Sequence, residues 1–317
     1  MARILVTGGA GFQGSHLSEA LLAMGHQVTV LNTLSVAAKR NLRIFEANEL
    51  ADIVFGSVTD GELISKTVRE HDVVFHLAAN VNVDKSLDDP RSFLETNVMG
   101  THHVLEAARE HGSRVIFAST CEVYGDGHGL APDALLDETA ELRPNSPYAA
   151  SKAAADRLCY SYFRSYGMDV SIVRPFNIFG ERQKSGAFGA LIAILVRRAI
   201  AGQDLTVFGD GSATRDYLHV SDAVDAYRLV LETPDLKGRA INFASGTNTR
   251  VRDIAEYIAA KFGTGVVNGP ARPGEVTRFP ASIALAQSIG FAPKVGIWAG
   301  IDRYIEWAKE QPQESVG

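Results

Sequence analysis

The chain contains few cysteines and no long hydrophobic run. Only two of its 317 residues are cysteines, Cys121 and Cys159, which is too few for a disulfide framework and is typical of the reducing cytosol. No apolar run reaches the ~20 residues that a membrane-spanning helix needs. The N-terminal residues lack the apolar core and cleavage site of a signal peptide. We therefore expect a cytoplasmic protein.

Concentrated charge and metal-ligand motifs are also missing. The formal net charge is −6, and no basic block stands out, which argues against a nucleic-acid or membrane-surface partner. The nine histidines and two cysteines show no zinc spacing, so no metal site is predicted. A hydrophobic content of 46% and a charged content of 21% are ordinary for a globular protein.

Glycine, in contrast, is concentrated at the start of the chain. The apolar strand predicted at Arg3–Thr7 leads into Gly8-Gly9-Ala10-Gly11-Phe12-Gln13-Gly14 and then into a helix over Ser15–Met24. Gly8 permits a tight turn, Gly11 lets the backbone approach a pyrophosphate, and Gly14 lets helix and strand pack closely. The helix N-terminus offers N–H groups to the phosphates. This strand–turn–helix context predicts a dinucleotide site.

The end of the second predicted strand, Gln27–Leu31, selects the dinucleotide. NAD-binding folds of this kind usually place Asp or Glu there, where it accepts hydrogen bonds from the adenosine ribose. This chain has Asn32, which can still accept one. No Arg follows directly to hold a 2′-phosphate, so NAD is favoured over NADP.

Strands and helices alternate over the first half of the chain. Further strands are predicted at 52–55, 73–79, 114–119 and 169–174, and helices at 90–111 and 148–166. This alternation predicts an α/β fold with a doubly wound parallel sheet of the Rossmann type. After Gly180 the rhythm breaks, which indicates a smaller mixed α/β substrate lobe. We expect residues 1–175 plus about 215–236 in the dinucleotide-binding domain, and about 176–214 plus 237–317 in the lobe.

The stretch Ser119–Gly125 and the helix after it carry the candidate chemistry. Tyr148 and Lys152 are four residues apart, hence on one helix face. A free phenol titrates near ~10, and we expect the Lys152 cation and a positive nicotinamide ring to lower the pKa of Tyr148. Thr120 could hold a substrate hydroxyl while Tyr148 takes its proton, as a general base does in a hydride transfer.

Several motifs together resemble one enzyme family. The segments 7–16 and 174–177 and the Tyr148/Lys152 pair resemble the extended short-chain dehydrogenase/reductases, more narrowly the NAD-dependent sugar-nucleotide epimerases and dehydratases. The segments 215–220 and 272–275 also match later motifs of that family. The resemblance implies that NAD⁺ oxidises the sugar at C4, with Tyr148 as base, Lys152 as its electrostatic partner and ribose clamp, and Thr120 positioning the hydroxyl.

The same resemblance implies two sets of binding residues. The cofactor would contact Gly8, Gly11, Phe12, Gln13, Gly14, Asn32, Ser57, Val58, Leu77, Ala78, Ala79, Asn97, Tyr148 and Lys152. A nucleotide-sugar substrate, with a UDP-sugar favoured, would contact Ser86, Asn177, Arg215 and Arg272. Arginine suits a diphosphate because its fork donates two parallel hydrogen bonds.

Cys121 and Glu122 decide which reaction the resemblance implies. Epimerases of the family carry small or neutral residues here, whereas the 4,6-dehydratases carry an Asp-Glu pair whose Glu removes the C5 proton and whose Asp protonates the departing C6 hydroxyl. A thiol can donate a proton, or Cys121 can simply fill apolar space. The thiol-for-Asp triad resembles the UDP-N-acetylglucosamine 5,6-dehydratases of tunicamycin-type antibiotic biosynthesis, in which hydride returns to C4 and a 5,6-alkene forms. A 4,6-dehydratase and a 4-epimerase are the alternatives.

Two further expectations concern class and assembly. A non-catalytic NAD-binding sensor on the same fold should have lost the reactive side chains, yet Thr120, Tyr148 and Lys152 are all present. The family often dimerises by packing two long helices of each subunit into a four-helix bundle. We therefore expect a homodimer formed by the helices around 90–111 and 148–166.

Overall fold

The computed structural model describes residues 1–126, 134–186, 189–270 and 278–311. Its strands are β1 Arg3–Thr7, β2 Gln27–Asn32, β3 Ala51–Phe55, β4 Val73–His76, β5 Arg114–Ala118, β6 Val170–Pro175, β7 Ile178–Phe179, β8 Leu205–Phe208, β9 Thr214–Asp216, β10 Leu218–His219, β11 Ala240–Phe243, β12 Asn248–Arg250 and β13 Val266–Gly269. Its α-helices are α1 Phe12–Ala23, α2 Val36–Leu42, α3 Gly61–Val68, α4 Val83–Asp88, α5 Pro90–Phe93, α6 Gly100–His111, α7 Pro147–Tyr166, α8 Leu191–Ile200, α9 Val220–Glu232, α10 Val251–Phe262, α11 Ala284–Ser288 and α12 Ile297–Lys309.

Seven strands form a parallel central sheet in the order β3-β2-β1-β4-β5-β6-β11. Every residue of β4 and β6 is buried, because helices cover both faces of a parallel sheet. The chain reverses its direction across the sheet between β1 and β4. Ligands of doubly wound folds bind at this switch point, beyond the carboxyl ends of the strands. The predicted Rossmann-type fold is confirmed.

Two apolar clusters flank the sheet. Helices α1 and α9 contact each other on one face, while α3, α6 and α7 pack together on the other. The helix α7 begins after Ser146, whose hydroxyl accepts a hydrogen bond from the N–H of Ala149, with Pro147 in its first turn. A serine cap followed by proline is a strong helix start. It places Tyr148 at the edge of the sheet where β5 ends.

The smaller lobe has its own core. Helices α8, α10 and α12 pack around β8 and β13, which pair in parallel. The expected division put all of 237–317 in this lobe, but β11 lies within that range and pairs with β6 in the central sheet. The sequence does not separate β11 from the lobe, because it follows α9 by a short turn with no change of composition. Among the described residues, no helix combines the length and apolarity needed to cross a membrane.

The predicted helix over 90–111 is three helices. A π-helix, Leu94–Met99, separates α5 from α6. The predicted strand over 73–79 ends at His76, and the residues after it form a loop. Both differences lie next to the candidate site, where π-helical turns are often found.

Candidate active site

The glycine turn forms a close backbone cradle. Gly8 has a positive φ of 71°, and a Cβ atom at this position would lie 2.8 Å from the backbone nitrogen of Ala78. A Cβ atom at Gly14 would lie 2.2 Å from the carbonyl oxygen of Gly8. Gly11 caps α1 without a side-chain hydrogen bond, so the first N–H groups of this helix face the turn. A pyrophosphate fits such a helix N-terminus.

Side chains around the cradle hold its shape. Asn32 accepts a hydrogen bond from the N–H of Ala10 at 3.3 Å, and its amide nitrogen donates to the carbonyl of Thr33 at 2.9 Å. Gln13 accepts a hydrogen bond from the hydroxyl of Tyr227 at 2.9 Å. The ring of Phe12 packs edge-on against His16. The structure thus brings the predicted cofactor residues of β1, α1 and β2 together.

The predicted cofactor residues Ser57 and Val58 follow β3. Val58 is 2% exposed and lies under Gly100, where a Cβ atom would come within 2.5 Å of the valine side chain. The hydroxyl of Ser57 pairs with that of Thr59 at 2.8 Å. Val58 is therefore packed against the start of α6, and Ser57 is held by a neighbouring hydroxyl in the turn after β3.

The loop after β4 closes the opposite side of the cradle. The N–H of Leu77 donates to the carbonyl of Thr7 at 3.1 Å, and the N–H of Ala78 donates to the hydroxyl of Thr7 at 3.3 Å. Asn97, in the π-helix, is buried, and its amide bonds both the N–H and the carbonyl of Asn80. The loop that contains Leu77, Ala78 and Ala79 is therefore tied at both ends.

Tyr148, Thr120 and Lys152 meet at the end of β5. The phenol of Tyr148 hydrogen-bonds the side chain of Thr120, and burial raises the pKa of the phenol above its ordinary value. The ammonium of Lys152 donates to the carbonyl of Ala118 at 2.6 Å and lies 4.3 Å from the centroid of the Phe117 ring. Burial lowers the pKa of Lys152 to about 8.

The expectation that Lys152 lowers the pKa of Tyr148 is thus corrected for the protein's own residues. Burial disfavours the phenolate, and the nearby Glu122 and Cys121 disfavour it further. Among the side chains, the Thr120 hydrogen bond is the influence that acts in the opposite direction. The ammonium of Lys152 is hydrogen-bonded to the backbone of β5, so its positive charge is held at the end of that strand.

Cys121 and Glu122 begin a 3₁₀ turn, Cys121–Tyr124, that follows directly after Thr120. The Thr120 hydroxyl caps this turn by accepting a hydrogen bond from the N–H of Glu122 at 3.3 Å. Cys121 is 2% exposed, and burial, aided by the charge of Glu122, raises the pKa of its thiol. Burial also raises the pKa of Glu122, against an opposing effect of Arg215.

The substrate-side residues are placed unevenly. Asn177 donates from its amide to the carbonyl of Asp216 at 2.9 Å, and its backbone hydrogen-bonds the Cys121 thiol. The guanidinium of Arg215 lies 5.9 Å from the centroid of the Phe279 ring, and its charge acts on Glu122 and Cys121. Ser86 is fully buried and donates to the carbonyl of Val83 at 2.6 Å. Arg272 lies outside the described residues.

The model of the NAD dependent epimerase/dehydratase family matches residues 4–244. The chain belongs to this family. A dTDP-glucose 4,6-dehydratase of Streptomyces niveus is 36% identical over 327 residues, covering 97% of this chain and 93% of that protein. A putative UDP-glucose 4-epimerase of Methanocaldococcus jannaschii is 33% identical over 312 residues, covering 96% and 98%. The solved dTDP-glucose 4,6-dehydratase DesIV of Streptomyces venezuelae, with NAD bound, is similar with a TM-score of 0.89, 33% identity and 97% coverage of both chains.

Membership of the NAD dependent epimerase/dehydratase family accounts for a cradle that is formed by backbone atoms, since proteins of this family bind NAD. In this member the glycine turn, the open N-terminus of α1 and the loop after β4 fit a dinucleotide, since side chains would fill the space at Gly8 and Gly14. NAD is the cofactor of the family and is bound in the solved relative named above.

Sequence reasoning missed the charged network behind the site of this family member. Asp156 is fully buried and accepts hydrogen bonds from Arg174 and from the hydroxyl of Ser119 at 2.7 Å. Arg174 also donates to the hydroxyl of Tyr124 at 2.8 Å. Asp156 lies four residues after Lys152 on α7, a spacing that would have placed it on the same face. This network anchors both ends of the segment that carries Cys121 and Glu122.

Proposed function

We propose that the chain is an NAD-dependent sugar-nucleotide dehydratase that removes water across C5 and C6 of UDP-N-acetylglucosamine and leaves a 5,6-alkene. The observation that carries this proposal is the adjacency of Cys121 and Glu122, in one 3₁₀ turn, to the Thr120–Tyr148 pair, with the charge of Arg215 acting on Glu122. A carboxylate, a thiol and a phenol within one site can handle three protons of the sugar. An epimerase needs only the phenol.

The first step is oxidation at C4. Tyr148 would accept the proton of the C4 hydroxyl as a phenolate, which the positive charges of a bound NAD⁺ and of Lys152 would favour against the effect of burial. The Thr120 hydroxyl, which already bonds the phenol, would orient the C4 hydroxyl. When bound, NAD supplies the hydride acceptor and donor of this chemistry, held by the glycine turn, Asn32 and Lys152. The resulting C4 ketone makes the C5 proton acidic.

Elimination then uses Glu122 and Cys121 as a base and an acid. Glu122 accepts the C5 proton; its raised pKa makes it a stronger base than an exposed glutamate. Cys121, whose raised pKa keeps it protonated, gives its proton to the C6 oxygen, which leaves as water. The proton goes to the oxygen as it departs, because the developing hydroxide is a strong base whose conjugate acid, water, has a pKa of about 15.7. A carboxylic acid and a thiolate result, and a proton returned from one to the other resets the site.

The position of hydride return separates the two dehydratase outcomes. Return to C4 leaves a 5,6-alkene and a restored C4 hydroxyl, whereas return to C6 leaves a 4-keto-6-deoxy sugar. The thiol in the acid's position supports the first outcome, since the resemblance to 5,6-dehydratases rests on it. The dTDP-glucose 4,6-dehydratase relative makes the second outcome the main alternative, and the putative 4-epimerase relative makes epimerisation the next.

The test is mass and proton-NMR analysis of UDP-N-acetylglucosamine after incubation with the enzyme, in water and in D₂O, with dTDP-glucose in parallel. Loss of water with vinyl signals is the expected result. Loss of water with a new methyl signal would replace the proposal by 4,6-dehydration. An unchanged mass with altered C4 coupling would mean a 4-epimerase and would remove Glu122 from its role as base.

Variants sharpen this test. Glu122→Gln should abolish both water loss and deuterium entry at C5 of the recovered substrate, because both need the same base. The matched control is Glu62→Gln, which alters an exposed carboxylate paired with Lys66 on α3 and should leave turnover unchanged. Retained deuterium entry in Glu122→Gln would contradict the proposal.

Three coarser expectations accompany the proposal. We infer a dinucleotide domain and a sugar-nucleotide lobe divided as predicted, with β11 added to the first. We also infer a cytoplasmic homodimer in which α6 and α7 form the interface. Tyr166 on α7 and Met99 beside α6 are 58% and 47% exposed, which supports that placement. Light scattering of the purified protein tests the dimer, and a monomeric mass would reject it.

A further inference from the structure

The buried residue His76 immediately precedes the Leu77–Asn80 loop, which closes one side of the cradle. His76 has no role in the reaction proposed above. His76 ends β4 and is fully buried. Each of its ring nitrogens meets a threonine hydroxyl: Nδ1 lies 2.7 Å from Oγ1 of Thr7, and Nε2 lies 3.0 Å from Oγ1 of Thr101. Thr7 immediately precedes the glycine turn, and Thr101 lies on α6. The ring therefore links the end of β1, next to the glycine turn, to α6.

The number of protons available determines which partner donates in each of these hydrogen bonds. The Thr101 hydroxyl donates its one proton to the carbonyl of Asn97 at 2.6 Å, so it can only accept from His76, and Nε2 must carry the proton. Nδ1 is then an acceptor, and the Thr7 hydroxyl donates to it. Thr7 in turn accepts from the N–H of Ala78 at 3.3 Å. One tautomer, the Nε2–H form, satisfies all of these contacts.

The surroundings keep this ring neutral. Burial, together with the charge of Lys152, lowers the pKa of His76 to about 3, because both disfavour a second positive charge. The Phe117 ring, which lies beneath the Lys152 ammonium, also packs against His76 with ring centroids 5.7 Å apart. Thr7 and Thr101 are the polar side chains that bond the ring, and both are buried.

The chain of bonds ends on the residue that secures the rest of the cofactor loop. Oδ1 of Asn97 accepts from the N–H of Asn80 at 2.7 Å, and Nδ2 donates to the carbonyl of Asn80 at 2.9 Å and to the hydroxyl of Ser151 at 2.8 Å. Ser151 lies on α7, one turn after Tyr148. The π-helix turns the Asn97 carbonyl and amide toward these partners. This series of hydrogen bonds thus holds the loop at Ala78 through Thr7 and at Asn80 through Asn97.

We propose that His76, as the neutral Nε2–H tautomer, is a positioning residue for the dinucleotide. By linking Thr7 to Thr101 it aligns the Leu77–Asn80 loop with the glycine turn and couples both to Asn97. Its role is exercised through the loop backbone, since Thr7 and Thr101 occupy both ring nitrogens. The proposal concerns NAD binding by this family member and does not depend on the dehydratase reaction.

The tautomer can be read directly in the unmodified protein. With ¹⁵N-labelled histidine, long-range proton–nitrogen correlation spectra distinguish the two neutral tautomers and the cation, and His76→Gln identifies the signal among the nine histidines. We expect an Nε2–H pattern that does not change between about pH 5 and pH 9. An Nδ1–H pattern, or a ring that titrates in this interval, would overturn the proposal even if no variant folds.

Binding tests the positioning role. Thr101→Val and Thr7→Val each break the chain at constant side-chain shape, and each should raise the Kd for NAD about tenfold, as expected for loss of one well-placed hydrogen bond. Because both act on one chain, the double variant should lose less than the product of the two. Unchanged NAD affinity in both single variants would reduce His76 to a structural residue and reject the proposal.

Thr67→Val is the matched control. It removes a hydroxyl of the same kind, which donates to the carbonyl of Leu63 at 2.7 Å within α3, away from the cradle. Isothermal titration with NAD should show no change. Since no sugar nucleotide is present in either measurement, failure here would leave the proposed reaction untouched, and failure of the proposed reaction would leave His76 untouched.

Discussion

At the scale of single residues, the sequence predicts which side chains lie close together, but it does not predict how burial changes their pKa values. The adjacency of Thr120, Cys121 and Glu122 is read directly from the chain, and the spacing of Tyr148 and Lys152 gives their common helix face. The sign of the pKa change at Tyr148 could not be read in that way. It depends on how deeply the phenol is buried, which the sequence does not show.

The Cys121 thiol offers the sharpest residue-level prediction. Cys121→Ala should slow water loss by about 10²- to 10⁴-fold, the usual contribution of a general acid, while deuterium still enters C5 of the recovered substrate because Glu122 is intact. Cys121→Asp should restore an acid and much of the rate. Cys159→Ala removes the second buried thiol and serves as the control. Equal rates of water loss in Cys121→Ala and the parent would mean that the thiol only fills space.

Because the pKa of Lys152 differs between the folded and the unfolded protein, we expect the free energy of unfolding to depend on pH. Its pKa is about 8 in the folded protein and 10.5 ordinarily. Well below pH 8, Lys152 is protonated in both the folded and the unfolded protein. The folded protein then bears the whole free-energy cost of burying the charge. Between these values the unfolded chain binds more protons, so the free energy of unfolding rises with pH, by about 2 kcal/mol from about pH 7.5 to 9.5.

Urea unfolding of the parent and of Lys152→Met at both pH values measures this effect. The variant carries no titrating group at this position, so its stability should lack the rise. The difference between the two proteins should therefore change by about 2 kcal/mol. Parallel changes in parent and variant would show that Lys152 is not the group responsible.

At the scale of elements, the first six strands and several long helices were predicted, whereas the short helices α2 and α3 and the π-helix were not. The strands β1 to β6 follow from short apolar runs between glycines and helices. The π-helix Leu94–Met99 carries no sequence signal, because a π-turn is selected by contacts such as those of Asn97 with Asn80 and Ser151. Those contacts join residues that are distant in the chain.

The turn between β1 and α1 gives an element-level prediction. Gly14→Ala would place a Cβ atom 2.2 Å from the carbonyl oxygen of Gly8, so the turn must shift. We expect a loss of about 1–3 kcal/mol in unfolding free energy and a large loss of NAD affinity, measured by urea unfolding and titration calorimetry. Gly296→Ala, where an added Cβ atom meets nothing within 4 Å, should bind NAD normally. Normal NAD binding by Gly14→Ala would contradict the cradle.

At the scale of the whole molecule, a buried ion pair joins the elements around the site, and the half-exposed Arg157 also pairs with its carboxylate. Asp156 on α7 and Arg174 on β6 are 0% and 1% exposed. Through Ser119, Tyr124 and Asn242 the pair reaches β5, the 3₁₀ turn and β11. The strand that the sequence assigned to the smaller lobe is thus joined to the 3₁₀ turn by side chains from four separate elements, which is why local patterns did not place it.

Asp156→Asn should therefore be strongly destabilising, by about 3–5 kcal/mol, because it leaves the Arg174 charge buried and uncompensated. The double variant Asp156→Leu, Arg174→Met removes both charges and should recover much of that loss, since apolar replacements of buried pairs are often tolerated. Glu62→Gln, which breaks an exposed pair with Lys66, should change stability by at most about 1 kcal/mol. If the double variant recovered stability but lost water elimination, the pair would also position Cys121 and Glu122 through Tyr124. If it recovered both, the pair would serve the fold alone, and the 3₁₀ turn would keep its geometry from the Thr120 cap.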